Sequence, residues 1–179
     1  MTMPAGEPTA IASAAGRVRR RPEREADEKF LFDLFRSSRP PGEDLSFLDA
    51  TLREQLMRQQ FAGQSASYRA SYPDARFEIV EWDGAPIGRI VTARTPDAVL
   101  IVDIALIASQ RRRGIGASLL NGVLDEARAA GLPVRLSVFA SNAQALRFYL
   151  RLGFKPIERS AIDMRLEWRD PCHPEARMR

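Results

Sequence analysis

The chain of 179 residues has one cysteine, Cys172, and one histidine, His173. A single thiol excludes an internal disulfide and a cysteine-built zinc cage, and it fits a reducing compartment. His173 lies in the polar tail "RDPCHPEARMR", where exposure is the plain expectation, so it is not a candidate base. Lysine is almost missing: Lys29 and Lys155 stand alone, and the formal charge of +4 therefore comes from arginine. Such a surplus suits a polyanionic ligand, whether nucleotide, phosphate or nucleic acid. Base stacking on nucleic acid needs aromatics interleaved with the basic run, and "QRRRGIG" has none, so no nucleic-acid partner is expected. Long apolar runs are also lacking, since no uncharged stretch reaches the roughly 18 residues of a membrane span. The first residues, "MTMPAGEPTAIASAAG", lack the basic start and unbroken apolar core of a signal peptide. A soluble, cytoplasmic protein without membrane association is the expectation. No internal repeat is visible.

With 45% hydrophobic residues, the chain can build one sizeable core but hardly two. The composition predicts a disordered segment over 1–16, a single domain over 17–168 and a flexible tail over 169–179. Within the domain, "RVRRR" reads as a short strand. "EADEKFLFDLFRSS" reads as a helix with Phe30, Leu31, Leu34 and Phe35 on one face, and 42–49 as a loop. A longer helix near 50–70 carries Leu52, Leu56, Met57 and Phe61 on its apolar side, with Gln60, Gln64 and Tyr68 running beside it. "RFEIVEW" and "PIGRIVTAR" alternate around Asp83 and Gly84, the mark of a hairpin. "AVLIVDIALI" is apolar except at Asp103, as expected of a strand covered on both faces. A helix from about 114 to 130 buries Leu119, Leu120, Val123, Leu124 and Ala127 and stops at Gly131. "PVRLSVFA" is a further strand, Asn142 caps a helix ending at Leu152 and Gly153, and "FKPIER" and "IDMRLEW" close the domain as strands. The order gives an α/β (α+β) class with a central, mixed sheet.

The most informative stretch joins the apolar strand to the amphipathic helix: Arg111, Arg112, Arg113, Gly114, Ile115, Gly116, Ala117. A helix start offers unpaired N–H groups and the positive end of the macrodipole, glycines let a ligand approach them, and arginines add neutralising charge. That combination suits phosphate or pyrophosphate. The third glycine of a dinucleotide-binding turn is absent, as is the Gly-Lys-Ser/Thr of a P-loop. On spacing alone, a tight turn with a solvated basic cluster fits equally.

Arg111-x-x-Gly114-x-Gly116 at a strand end resembles the Arg/Gln-x-x-Gly-x-Gly/Ala signature of the GNAT superfamily of N-acetyltransferases. "NAQALRFYLRLGFKP", further along, resembles the second hallmark, Asn-x-x-Ala-x-x-x-Tyr followed by Leu-Gly-Phe. The likeness covers residues 76–168 well and the helical N-terminal half in outline. It implies a GNAT-like fold whose mostly antiparallel sheet splays where acetyl-CoA binds as co-substrate, with no metal. It further implies pyrophosphate on the backbone of Arg111 to Ala117 and pantetheine beside Leu106, Ile107 and Ala108, with Asn142 reaching the pantetheine arm or serving as a plain helix cap.

Acetyl transfer to an amine needs a base for the amine, a polarised carbonyl and an acid for the departing thiolate. Tyr149 matches the family position near the sulfur and is the candidate acid; the alternative is an aromatic packed beside Phe148 and Leu152. Asp103, the one carboxylate in the apolar strand, sits by simple alternation on the face of Ile101, Ala105 and Ile107. Burial there would raise its pKa and suit it as base, against a purely structural role. Glu78 and Glu81 are reserves. Gln60, Gln64 and Tyr68, with Tyr72 beyond, are candidates for a pocket receiving a small amine or peptide amine, and Arg36 and Arg39 for an acidic acceptor. A non-catalytic acyl-CoA sensor is the first alternative function and a basic nucleic-acid-binding module the second, less favoured one; a homodimer is one option for assembly.

Overall fold

A computed structural model describes residues 10–13, 16–38, 45 and 47–172. The strands are β1 (Ala10–Ser13), β2 (Gly16–Pro22), β3 (Arg76–Trp82), β4 (Ala85–Arg94), β5 (Val99–Leu106), β6 (Val134–Phe139), β7 (Lys155–Arg159) and β8 (Asp163–Trp168). The helices are α1 (Glu28–Ser37), α2 (Ala50–Ser71), α3 (Ile115–Ala129) and α4 (Ala143–Arg151). All eight strands form one sheet in the order β1-β2-β3-β4-β5-β6-β8-β7. Every neighbouring pair is antiparallel except β5 and β6, so the sheet is mixed, as expected.

The β3–β4 hairpin turns on Asp83 and Gly84, with φ of 49° and 82°. Positive φ at both central residues matches the twist of the strands, which is why an Asp-Gly pair stands there. α3 buries the expected stripe and adds Ile115 at its head. Its C-terminus closes on Gly131, at φ 65°, with the Leu132 amide donating to the Ala127 carbonyl at 3.0 Å. One core forms where α3 and α4 cover the sheet, drawing in Val80, Ile90, Ile101, Leu119, Leu136 and Leu166. Among the described residues no helix is long and apolar enough to cross a membrane.

Several elements depart from the sequence reading. Ala10–Ser13, assigned to a disordered segment, pairs in register with β2, whose outer edge would otherwise leave its backbone groups without a partner. Residues 1–9 and 14–15 and the tail 173–179, with His173, lie outside the described residues, as do Arg39 and half of the 42–49 loop. α1 buries Leu31, Phe32 and Leu34, while Phe30 and Phe35 are half-buried. Phe32 and Phe35 both meet Phe61 of α2 at 5.7 Å between ring centroids, so α1 is sandwiched between sheet and α2 and needs a wider apolar stripe than one face. α2 has no fully buried residue, and Leu52 on its supposed apolar side is exposed, because α2 is an outer layer laid on α1. β5 is also less covered than its composition implies: only Val99 and Ile101 are buried, and the strand from Val102 onward is half-open. Its neighbour β6 leaves it there.

Candidate active site

β5 and β6 pair at Val99 with Val134, Leu100 with Arg135 and Ile101 with Leu136, and then diverge. From Val102 to Leu106 one edge of β5 has no partner strand among the described residues. α1 and α2 stand over the gap on one side, and α4 enters from the other with Asn142, Ala145 and Tyr149. The result is a cavity of about 530 Å³. Its walls bring together Asp103, Tyr149, Asn142, Gln60, Gln64 and Tyr68, all of them selected from the sequence.

Asp103 reaches this cavity through a β-bulge. The register shifts between Val91 and Thr92, so that Asp103 faces Val91 while Ile101 faces Thr92, and Val102 is left over. Val91 and Thr92 point to opposite faces of β4. Ile101 and Asp103 therefore also point to opposite faces, contrary to simple alternation: Ile101 enters the α3 core and Asp103 turns toward α1 and α2. A bulge next to a cavity that re-aims one side chain is a recurrent device. Gly88 permits the close β4–β5 approach nearby, since a Cβ there would collide with the Ala105 carbonyl and the Leu106 side chain.

Asp103 retains 25% of its side-chain surface, on the cavity. Burial still pushes its carboxyl above the usual range, with the nearby Arg89 guanidinium opposing part of that rise. Burial likewise raises the Tyr149 hydroxyl to about 12, with the Asp103 charge adding to it. Tyr149 packs against Phe148 and Phe154 at 5.3 and 5.7 Å between centroids, and its hydroxyl makes no hydrogen bond among the described residues. The ring is therefore part of the core, while the hydroxyl has no partner among the described residues. Burial also raises Tyr68 to about 12. Asn142 accepts a hydrogen bond from the Ala145 amide at 3.0 Å as the α4 cap, and it also lines the cavity.

The glycine turn lies at the end of β5. Gly114 occupies the N-cap position of α3 at φ 80°, a conformation open to glycine at little strain, and has no side chain to cap the first-turn N–H groups. A Cβ there would meet nothing within 4 Å. Open space at Gly114 and uncapped donors thus coincide, which is what an anion needs. Gly116 is different: a Cβ would lie 3.4 Å from Phe148, so its smallness serves helix packing as well. Ile115 is fully buried and offers only its backbone.

The arginines divide their roles. Arg111 donates through Nε to the Leu106 carbonyl at 2.8 Å and reaches Ser37 and Ser38 at 3.4 and 3.3 Å, binding the turn to α1. Arg113 donates to Gln110 at 2.9 Å and lies 5.5 Å over the Trp82 ring. Arg112, at φ 62°, is exposed and has no side-chain partner among the described residues. The Ile107 amide donates to the Ile87 carbonyl at 2.9 Å, which removes it as a donor to a ligand.

The reserve carboxylates are elsewhere. Glu78 and Glu81 pair with Arg20 and Arg21 of β2 at 3.5 and 2.6 Å, outside the cavity lining. Arg36 is shared between Asp33 and Glu54 and, like Tyr72, does not line it. The sequence reading missed Arg89, which is 4% exposed and lines the cavity. A signal was present: Arg89 interrupts the apolar side of "PIGRIVTAR", where a charge is expensive unless it is used. Among the described residues no cluster of three or more metal-ligating side chains occurs.

A mixed sheet that opens between two parallel strands, a glycine-led helix start at the strand end and a tyrosine from the following helix together define an acetyltransferase fold of the GNAT type. The model of the Acetyltransferase (GNAT) family matches residues 29–154, and the chain belongs to that family. Among solved structures, PaiA N-acetyltransferase from Thermoplasma acidophilum in complex with coenzyme A superposes with a TM-score of 0.65 at 19% identity, over 86% of this chain and 99% of that one. Mycobacterium smegmatis RimJ in complex with CoA-disulfide gives 0.64 at 17%, over 93% and 88%. Apo FdhC, a nucleotide-linked sugar GNAT, gives 0.63 at 15%, over 93% and 91%. At such identities the likeness establishes the fold. A search among curated proteins gives no match.

Proposed function

We propose that the protein, through one domain that takes in β1 and runs to residue 168, transfers the acetyl group of acetyl-CoA directly to a primary amine in a ternary complex. The observation that carries this reading is the meeting of Asp103 and the unbonded Tyr149 hydroxyl in one cavity at the open edge of β5. The uncapped start of α3, with the backbone of Arg111 to Ala117 and the exposed Arg112, receives the pyrophosphate. Leu106 and Ala108 serve the pantetheine and the thioester carbonyl, and Asn142 offers its amide nitrogen from α4.

The amine enters from the α1–α2 side, past Gln60, Gln64 and Tyr68. Its nitrogen attacks the thioester carbonyl carbon while Asp103 takes the proton that the nitrogen must lose. A carboxyl raised by its surroundings is the better base near neutrality. The carbon–sulfur bond then breaks, and the Tyr149 hydroxyl donates its proton to the departing thiolate. A hydroxyl held near 12 is fully protonated at physiological pH, so the acid is always loaded. The products are the N-acetyl amine and CoA thiol.

Two assays test the reading. Calorimetry should detect acetyl-CoA binding, and a panel of amines should accelerate thiol release. Binding without acceleration by any amine would instead support an acyl-CoA sensor. Absence of binding would remove the proposal.

A further inference from the structure

Among the described residues, the cavity is lined by one cation, Arg89, and it is an unusual one. Arg89 projects from β4 on the same face as Asp103, since Arg89 faces Ala105 and Val91 faces Asp103 across the two strands. Its side chain is 5% exposed. A guanidinium has five N–H donors. Here none makes a hydrogen bond among the described residues: Nε is 3.6 Å from Glu23 and Nη1 is 3.8 Å from Asp103, both beyond hydrogen-bond range. The rings of Tyr68 and Phe77 also lie beside the guanidinium, at 5.9 and 5.6 Å. Nε is buried and faces Glu23, whereas the Nη groups have no hydrogen-bond acceptor among the described residues; a guanidinium in a cavity wall with donors left over points to a ligand.

The charges around Arg89 are balanced. Arg69 bonds to the other oxygen of Glu23 at 2.8 Å, so that Arg69, Glu23, Arg89 and Asp103 alternate in sign from the surface to the cavity. Glu23 Oε1 is taken by Arg69, while its Oε2, which accepts no hydrogen bond among the described residues, faces Arg89 Nε at 3.6 Å; the cavity wall itself presents Arg89 and Asp103 side by side. A partner complementary to such a pair carries both charges at short separation, an ammonium for Asp103 and a monoanion for Arg89. A carboxylate fits the flat fork of the guanidinium through two parallel hydrogen bonds. A doubly charged phosphate would be repelled by Asp103 and Glu23 together.

Resting on the acetyltransferase reading above, we propose that the acceptor is an amine bearing a carboxylate close to the nitrogen, an α-amino acid in charge layout, with its carboxylate on Arg89 and its nitrogen facing Asp103. Arg89 is then the residue that sets acceptor class. The walls beyond the pair, Leu31, Leu34, Phe35 and Phe139 with Gln60 and Gln64, receive the amino acid's side chain.

The test compares matched acceptors in the thiol-release assay: free α-amino acids, their methyl esters, the corresponding decarboxylated amines and aminophosphonates. The amino acids should exceed the esters and amines in kcat/KM by roughly 10- to 100-fold, the usual effect of a charge-assisted hydrogen bond, with aminophosphonates below the amino acids. Arg89→Met should bring the ratio of acid to ester close to one, with acetyl-CoA affinity by calorimetry retained, and Arg89→Lys should restore only part of it. The wild-type ratio stands even if Arg89→Met fails to fold. Equal turnover of acids, esters and amines would overturn the proposal, as would an undiminished ratio in Arg89→Met. Coenzyme binding with no turnover of any amino acid would overturn it too. Failure to bind acetyl-CoA at all would instead remove the reading on which it rests.

Discussion

Tyr149→Phe separates the two roles that the structure gives this residue. The ring is 8% exposed and held by Phe148 and Phe154. Phenylalanine has the same ring, and the hydroxyl makes no hydrogen bond among the described residues, so its removal leaves no broken partner behind. For a domain of this size about 1 kcal/mol corresponds to roughly 2–4 °C, and the melting temperature should move by no more than that, upward if at all. Catalysis should behave otherwise. Without the phenol the thiolate departs unprotonated, and loss of a general acid typically costs about 100- to 10,000-fold. The assay is steady-state thiol release with a saturating acceptor, the fold being checked by thermal melting. The turnover number should fall within that range while KM for acetyl-CoA changes little, the pattern of an interaction made mainly in the transition state. Unchanged turnover would refute the acid role and leave Tyr149 as core. A drop in melting temperature of many degrees, in step with activity, would show that the hydroxyl supports the fold.

Asp103 should control the acid side of the pH profile: kcat/KM should rise with pH through a carboxyl pKa above the ordinary aspartate value, and Asp103→Asn should abolish that limb. Because burial raises the folded-state pKa, the ionised form opposes folding, and stability due to the neutral form is lost as pH rises through that pKa. Asp103→Asn should therefore melt no lower than the parent at neutral pH. Gly114→Asp should weaken acetyl-CoA affinity in calorimetry by placing a carboxylate in the open space at the helix start, whereas retained affinity in a folded variant would remove the pyrophosphate assignment. Added salt should weaken CoA more steeply than a pantetheine fragment, and Arg112→Ala should reduce that slope; equal slopes for both ligands would reduce the arginines to a solvated patch. Gly88→Ala should destabilise the domain by about 1–3 kcal/mol in denaturant unfolding, because the added carbon meets strand backbone that cannot retreat.

Much of the architecture was legible because period and punctuation agree with each other. Asp83-Gly84, the α3 stripe and the Asn142 cap each carry a local signal that tertiary structure has no reason to override. The residues gathered in the cavity were also within reach: Gln60, Gln64 and Tyr68 follow one another at four-residue spacing, and Tyr149 belongs to a motif. The losses are of another kind. Where β6 leaves β5 depends on pairing between strands separated by α3, and nothing in "AVLIVDIALI" marks the point. The bulge at Val102 is equally silent, and one inserted residue is enough to reverse the face of Asp103. Phe32 was missed because α1 is covered twice, once by the sheet and once by α2. Arg89 was visible as an anomaly in an apolar strand, but its meaning needed Asp103 and Glu23 beside it.

For acetyl transfer at Asp103 and Tyr149, the thioester end of the coenzyme must lie in the opening between β5 and β6. A crystal structure of the protein with CoA tests that directly. The pantetheine should run along β5 between Val102 and Leu106, with its sulfur within hydrogen-bond reach of the Tyr149 hydroxyl and the pyrophosphate on the N–H groups that open α3. A CoA bound with its sulfur outside this cavity, or with its phosphates away from the α3 start, would contradict the assignment.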